Sequence, residues 1–285
     1  MLFRRPDGRR VRNVDPLQLI TSYIMKNRYD AMNMYEDTFA CEMWDEYIKE
    51  KEAQGIKLSY MHIVIAGVVR MLALKPRLNR FVMNGRIYAR PKVWVSFVVH
   101  PELHEDSCGT TIKLCFEGTE SILEIAEVIN AAIEKETTKR VSENGTDKLA
   151  RLLTSIPSPI LSFVVNTLMW MDRHNLLPKK IIELSPFHTS FFITNLKSLG
   201  INFVHHHTYD FGTTGLFFSM GKEKMIPVVH KGEIIQQKHM GFSLVSDERF
   251  CDGLYFAMAL RDLRKLMRNP ASLEKPLEKK VEDAK

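Results

Sequence analysis

Ser246-Asp247-Glu248-Arg249-Phe250-Cys251-Asp252-Gly253 is the stretch whose reading decides the fold of this chain. A run of strand character over 239–246 leads into it. Beyond it Leu254, Ala257, Leu260, Leu263 and Leu266 recur at helical spacing, which predicts a helix from Gly253 to about Arg268. The octapeptide is therefore a corner between a strand and a helix, and Gly253 permits the corner to be tight. If the backbone stays extended through it, Glu248 and Arg249 point to opposite faces. Cys251 at such a corner reads as a small apolar residue, since a reactive thiol needs a neighbour that lowers its pKa.

Working back toward the N-terminus, strands are predicted at 189–195, 202–208, 214–220 and 226–229, with Lys231-Gly232 as a turn before the strand at 239–246. Earlier strands fall at 80–83, 86–89, 92–100 and 110–116, and Asn84-Gly85 sits between the first two like a hairpin turn. Residues 33–42 look extended. Helical spacing marks 16–29, through Leu17, Leu19, Ile20, Tyr23, Ile24 and Met25, and also 45–54 and 121–136. Leu58 to Leu74 is apolar nearly all round, so it predicts a buried helix, capped by Ser59 and stopped before Pro76. The sum is mixed α/β, with strands clustered late and helices at both ends and on one face. No Gly-x-Gly-x-x-Gly or P-loop is present, so the usual nucleotide folds have no support.

The chain of 285 residues, 45% hydrophobic, is long enough for one sizeable core. We divide it into a basic N-terminal arm over 1–14, a main domain over 15–270 and a charged tail over 271–285 that is expected to fray. A hydrophobic insert over about 138–185 interrupts the main domain, beginning with a polar linker at 138–147. Residues 156–171 form its apolar run, but the unbroken part falls short of the roughly 20 residues a spanning helix needs. A helix buried in the core or facing another subunit is the first reading. Contact with a membrane surface through 156–184, helped by Trp170, Arg173, Lys179 and Lys180, is the second.

The net charge of +6, with Arg4, Arg5, Arg9, Arg10 and Arg12 clustered, suits an anionic ligand such as a nucleotide cofactor, or an anionic membrane. Nucleic acid is not expected, because no zinc-finger or RNP-type motif accompanies the charge. The four cysteines, Cys41, Cys108, Cys115 and Cys251, form no Cys-x-x-Cys pair and read as reduced thiols of a cytoplasmic protein. The N-terminus shows no signal-peptide pattern. His205-His206-His207 would place His205 and His207 on one face of a strand and His206 on the other. No third ligand is identifiable, so no metal is expected. One of these histidines, or His188, could serve as a proton acceptor.

The corner resembles the active-site signature of the 2-oxo acid dehydrogenase acyltransferase catalytic domain (dihydrolipoamide acyltransferase) and, more distantly, that of chloramphenicol acetyltransferase. In that frame, His-x-x-x-Asp-Gly, Asp252 and Gly253 are kept, while Glu248 stands where the family has its general base. Other phrases follow in the family's order. Ile24-Met25-Lys26-Asn27-Arg28 resembles its opening helix with an Arg near the end. Lys57-Leu58-Ser59-Tyr60 through Lys75-Pro76-Arg77-Leu78-Asn79 resembles a helix closed by Pro-x-Leu-Asn. Asn84-Gly85-Arg86-Ile87-Tyr88, Phe192-Ile193-Thr194-Asn195-Leu196 and Val228-Val229-His230-Lys231-Gly232-Glu233-Ile234 complete the set.

The resemblance implies a chloramphenicol acetyltransferase-like two-layer sandwich, a mixed β-sheet with helices packed on it. It implies a homotrimer with active sites between subunits, where coenzyme A or acyl-coenzyme A enters from one side and a small thiol or hydroxyl acceptor from the other. It assigns Asp252 to an ion pair that organises the site, with Arg28 as its partner. It assigns Thr194 to the hydroxyl that hydrogen-bonds the oxyanion, with Thr189 and Ser190 as alternates. No lipoyl domain is expected in this chain. Glu248 is the expected base, yet an ordinary carboxylate is less basic than imidazole by roughly 3 kcal/mol of proton affinity. A catalytically inactive trimeric scaffold or ligand-binding homologue is therefore the second expectation.

Overall fold

The computed structural model describes residues 5–100, 109–138 and 155–284. Arg4, Cys108, residues 139–147 of the linker and the next part of the insert, to residue 154, lie outside the described residues. Two sheets organise the described residues. The larger has six strands: β2 (Met32–Ala40), β5 (Val93–Val99), β6 (Thr110–Phe116), β7 (Phe191–Asn195), β8 (Leu216–His230) and β9 (Glu233–Asp247). Their order is β2-β9-β8-β7-β5-β6; β7 runs parallel to both its neighbours and the other pairs are antiparallel. The smaller sheet joins β1 (Arg9–Arg10), β4 (Arg86–Ala89) and β3 (Arg80–Met83).

Alternation along the strands sets the layers. Leu216, Phe218 and Met220 of β8 and Met240, Phe242 and Leu244 of β9 are fully buried on one face. Against that face packs α3 (Tyr60–Leu74), whose all-round apolar sequence leaves nearly every residue buried. On α3 lies α7 (Gly253–Arg268), through Ala259, Leu263 and Met267. Beside it lies α4 (Ile122–Thr138), through Ile122, Ile125 and Ile129. The expected α/β sandwich is present. Both expected hairpin turns form as well. Asn84 and Gly85 have φ of 50° and 68°, and Lys231 and Gly232 have 51° and 88°, the paired positive values of a primed turn.

Four expectations change. The separate strands at 214–220 and 226–229 are one long strand, β8, with a bulge between Met220 and Glu223. Residues 202–208 form no strand. They cross the open face of the sheet, where Val204 N–H donates to Ser219 Oγ at 3.2 Å and Ser243 Oγ donates to Val204 O at 2.7 Å. Glycines make that crossing possible: a Cβ on Gly221 would sit 2.5 Å from Phe203 N. The tail does not fray over its described residues. Leu277 N–H donates to Thr119 O, Val281 N–H donates to Ala73 O, and Asp283 forms a two-point ion pair with Arg80. The core-buried reading of the insert also fails. In α5 (Ser158–Arg173) the one buried residue is Asp172, and Ile160, Phe163 and Trp170 are exposed.

The N-terminal segment is docked from Arg5 onward. Arg5 pairs with Asp7 and with Asp172 at 2.7 Å each, and Val11 N–H donates to Ile87 O. Further along, α1 (Pro16–Ile24) is started by Asp15, whose carboxylate accepts from the N–H groups of Leu17 and Gln18. Its apolar stripe, Leu17, Ile20 and Ile24, faces solvent. Among the described residues the remaining α-helices are α2 (Glu42–Ala53) and α6 (Lys179–Leu184).

Candidate active site

The corner after β9 turns through a single 3-10 turn, Glu248–Phe250, before Gly253 opens α7. Asp247 and Arg249 hold it. Arg249 donates from Nε to Asp247 Oδ1 at 2.8 Å and from Nη2 to Oδ2 at 2.6 Å, with both side chains buried. Its Nη1 also donates to Met25 O at 2.9 Å, which ties the corner to the end of α1. Sequence reasoning missed this pair. The signal was the Asp-x-Arg spacing itself, read only for its effect on Glu248. With Arg249 turned inward, Glu248 points outward and is exposed, so the two side chains do face opposite ways.

Glu248 stands at an open cleft of about 270 Å³ between α1, β2 and the start of α7, which Asn33, Ser246, Cys251 and Asp252 also line. That is below the usual range for a complete small-molecule site. Burial pushes the Cys251 thiol up to about 12, which leaves it unreactive near neutral pH.

Asp252 and Arg28 are not partners. The Asp252 carboxylate caps α7 by accepting from Tyr255 N–H at 2.8 Å, and its other oxygen lies 3.4 Å from Arg77 Nη1 in a half-exposed contact. Arg28 is buried and spends its guanidinium on carbonyls: those of Tyr209 and Asp210 from Nη1, at 3.0 and 2.9 Å, and that of Val82 from Nη2 at 3.2 Å. Its backbone N–H donates to Asp210 Oδ1 at 2.7 Å. Burial lowers its pKa to about 10, partly offset by the field of Asp247. The expected ion pair is thus replaced by two separate anchors, because Asp252 is engaged by its own helix and Arg28 by a loop.

Thr194 lies in β7 on the face turned away from the helices, since Phe191 and Ile193 take the core side. It begins a row of hydroxyls, Thr194, Ser219 and Ser243, across three paired strands. The crossing segment covers the latter two and leaves Thr194 half-buried. Glu248 is five residues past Ser243, about 15 Å along the strand direction, and two strands over, about 10 Å more. One chain therefore keeps Thr194 and Glu248 too far apart to meet at a single reacting atom. The alternates are committed elsewhere: Thr189 Oγ1 donates to Phe191 O, while Ser190 Oγ accepts from Trp94 N–H.

The histidines divide as alternation predicts, although their segment is no strand. His206 faces the sheet, its ring stacked on Phe217 at 4.5 Å. Its Nε2 is buried with no hydrogen-bond partner among the described residues. Burial lowers its pKa, which keeps it neutral near pH 7. His205 and His207 are exposed, against Phe203 and Tyr209. His188 is fully enclosed between Ser185 Oγ at 2.8 Å and Asp172 Oδ2 at 3.2 Å. Burial works against the Asp172 carboxylate, but His188 and Arg5 outweigh it and hold its pKa well below the usual range. Among the described residues no group of His, Cys, Asp and Glu is gathered that could hold a metal ion.

Comparison with known proteins bears on the fold. Residues 188–274 match the family model described as 2-oxoacid dehydrogenases acyltransferase (catalytic domain). A probable dihydrolipoamide acetyltransferase from Listeria monocytogenes 4b F2365 superposes with a TM-score of 0.58 at 13% identity, over 92% of this chain and 95% of that one. The cubic core of a pyruvate dehydrogenase multienzyme complex gives 0.58 at 15% identity, over 90% of this chain and 88% of that one. A chloramphenicol acetyltransferase gives 0.54 at 10% identity, over 90% of this chain and 99% of that one. A search of curated proteins finds no match to the sequence.

Proposed function

We propose that this chain, which has the 2-oxo acid dehydrogenase acyltransferase catalytic fold and matches that family's model over residues 188–274, transfers an acyl group between coenzyme A and a small thiol or hydroxyl acceptor. The observation that carries the reading is the division of the candidate groups. Thr194 lies on the open face of the sheet and Glu248 on a small open cleft at the corner, which is what a site shared by two copies requires. The copies form a homotrimer in this reading. The apolar stripe of Leu17, Ile20 and Ile24 and the exposed Leu254, on the two helices that border the Glu248 cleft, supply an interface surface.

In the shared site the acceptor's oxygen or sulfur attacks the thioester carbonyl while its proton passes to the base. Thr194 Oγ1 donates to the oxyanion that develops, where loss of one donor costs about 3 kcal/mol. The carbon–sulfur bond then breaks, and the coenzyme A sulfur takes the proton back. Glu248 occupies the family position of the base. Closing a neighbouring copy over it would exclude water from the reacting atoms.

A second reading, a catalytically inactive trimeric scaffold, is favoured by the exposure of Glu248 in the single chain. Calorimetric titration with coenzyme A and with acetyl-coenzyme A separates the two. Micromolar binding is expected for the transferase. Absence of binding up to millimolar ligand would leave the scaffold reading.

A further inference from the structure

The helix α5 has no place in the site described above, and its surface is unusual. Ile160, Phe163 and Trp170, with Thr167 between, follow one another at steps of three, four and three residues, so they form a single stripe. They are 53%, 72% and 54% exposed. The helix is fixed to the body at its C-terminal end, where buried Asp172 is bonded to Arg5 and His188. The stripe is thus held outward on a rigid support.

Crossing a bilayer is ruled out for this helix by length: it has 16 residues, and no described helix is long and apolar enough to span. Lying along a bilayer surface is not. An amphipathic helix in the interface buries bulky apolar side chains at the acyl boundary and sets cations against the lipid phosphates. Here Arg173, Lys179 and Lys180 are exposed just beyond the stripe. Within 156–184 the acidic residues are Asp172, which is buried and neutralised, and Glu183, which pairs with Lys179. Trp170 sits next to these cations with its ring stacked on His174 at 4.5 Å, an amphipathic ring at the level where such rings collect in membranes. A second copy covering the stripe is the other occupant, and the test distinguishes it.

We propose that α5 is an interfacial anchor that lies flat on an anionic lipid surface, with Ile160, Phe163 and Trp170 in the acyl boundary and Arg173, Lys179 and Lys180 at the phosphates. The proposal does not depend on the acyl-transfer reading, and its test uses no activity. Purified full chain is sedimented with vesicles containing phosphatidylglycerol and with vesicles of phosphatidylcholine alone, while tryptophan emission is followed. Trp44 is 1% exposed and Trp94 half-buried, so a vesicle-induced blue shift reports Trp170.

The expected result is sedimentation with the anionic vesicles, weakened by salt, with a blue shift that Trp170→Phe abolishes. Phe163→Ser, a change at an exposed position, is expected to lower the partition coefficient by about 10-fold or more with circular dichroism unchanged. Failure to sediment, equal binding to both vesicle types, or binding indifferent to Phe163→Ser overturns the proposal. So does a blue shift that appears with rising protein concentration in the absence of vesicles, which would show the stripe covered by another copy.

Discussion

At the scale of single residues, Glu248 is set apart by what its neighbours do. Asp247 and Arg249 satisfy each other inside the protein and Phe250 is buried, so Glu248 is the side chain of the 3-10 turn left for solvent or a partner. Glu248→Gln keeps size and hydrogen-bonding shape while removing the proton acceptor. It is expected to lower the rate of acyl transfer by about 10² to 10⁴ with coenzyme A affinity unchanged. Single-turnover kinetics beside a binding isotherm checks this, and wild-type turnover in the variant would remove Glu248 from proton transfer. The role of Cys251 was legible because it depends on the local turn, whereas the tightness expected of Gly253 is not needed: a Cβ there would meet nothing within 4 Å and its φ is not positive. The partners of Asp252 and Arg28 were not legible. Arg28 is engaged by carbonyls of residues 209 and 210, and no spacing in the sequence announces that loop's approach.

Among the elements, α3 carries a pH-dependent start. Ser59 N–H donates to His62 Nδ1 at 2.9 Å, so this nitrogen must be unprotonated for the first turn to be capped. Burial lowers the His62 pKa to about 4. An unfolded chain takes up its proton near pH 6.5, so between about pH 6.5 and 4 the unfolded state binds more protons than the folded one. The stabilisation is complete above pH 6.5 and is lost as pH falls through that window, by about 3 kcal/mol at most. Urea midpoints measured from pH 7 to pH 4 are expected to fall, and His62→Gln to flatten part of the slope. His188, also lowered by burial, contributes in the same direction.

The hairpins at Asn84-Gly85 and Lys231-Gly232 and the apolar cylinder of α3 were readable because a local rule determines each of them. The segment 202–208 misled. Its alternation is that of a strand, but its backbone is met by the hydroxyls of Ser219 and Ser243 from below rather than by a strand beside it.

For the molecule as a whole, separation of Thr194 from Glu248 has a test that no single-chain site would pass. Thr194→Val and Glu248→Gln are each expected to be nearly inactive. Mixed after unfolding and refolded together, they form assemblies in which some interfaces join a native Thr194 to a native Glu248. Random mixing gives roughly a quarter of such sites, so activity is expected to return to about that fraction. No recovery would mean that one copy holds the whole site. The layered fold was legible because helix and strand periods repeat over many residues. The fate of the two charged ends was not. Arg5, Arg80, Asp172 and Asp283 read as surface charges one at a time and become interior only as pairs.

The Arg5–Asp172 pair also bears on how the protein is made. Its partners are 167 residues apart, and at ordinary rates of translation roughly 10 to 30 s pass between the synthesis of one and the other. Arg5 therefore emerges with Asp7 as a local partner, and its second partner is made much later. The small sheet can close before α5 is made, since β1 pairs with β4, and the arrival of α5 adds the buried Asp172 that fixes Arg5 in place.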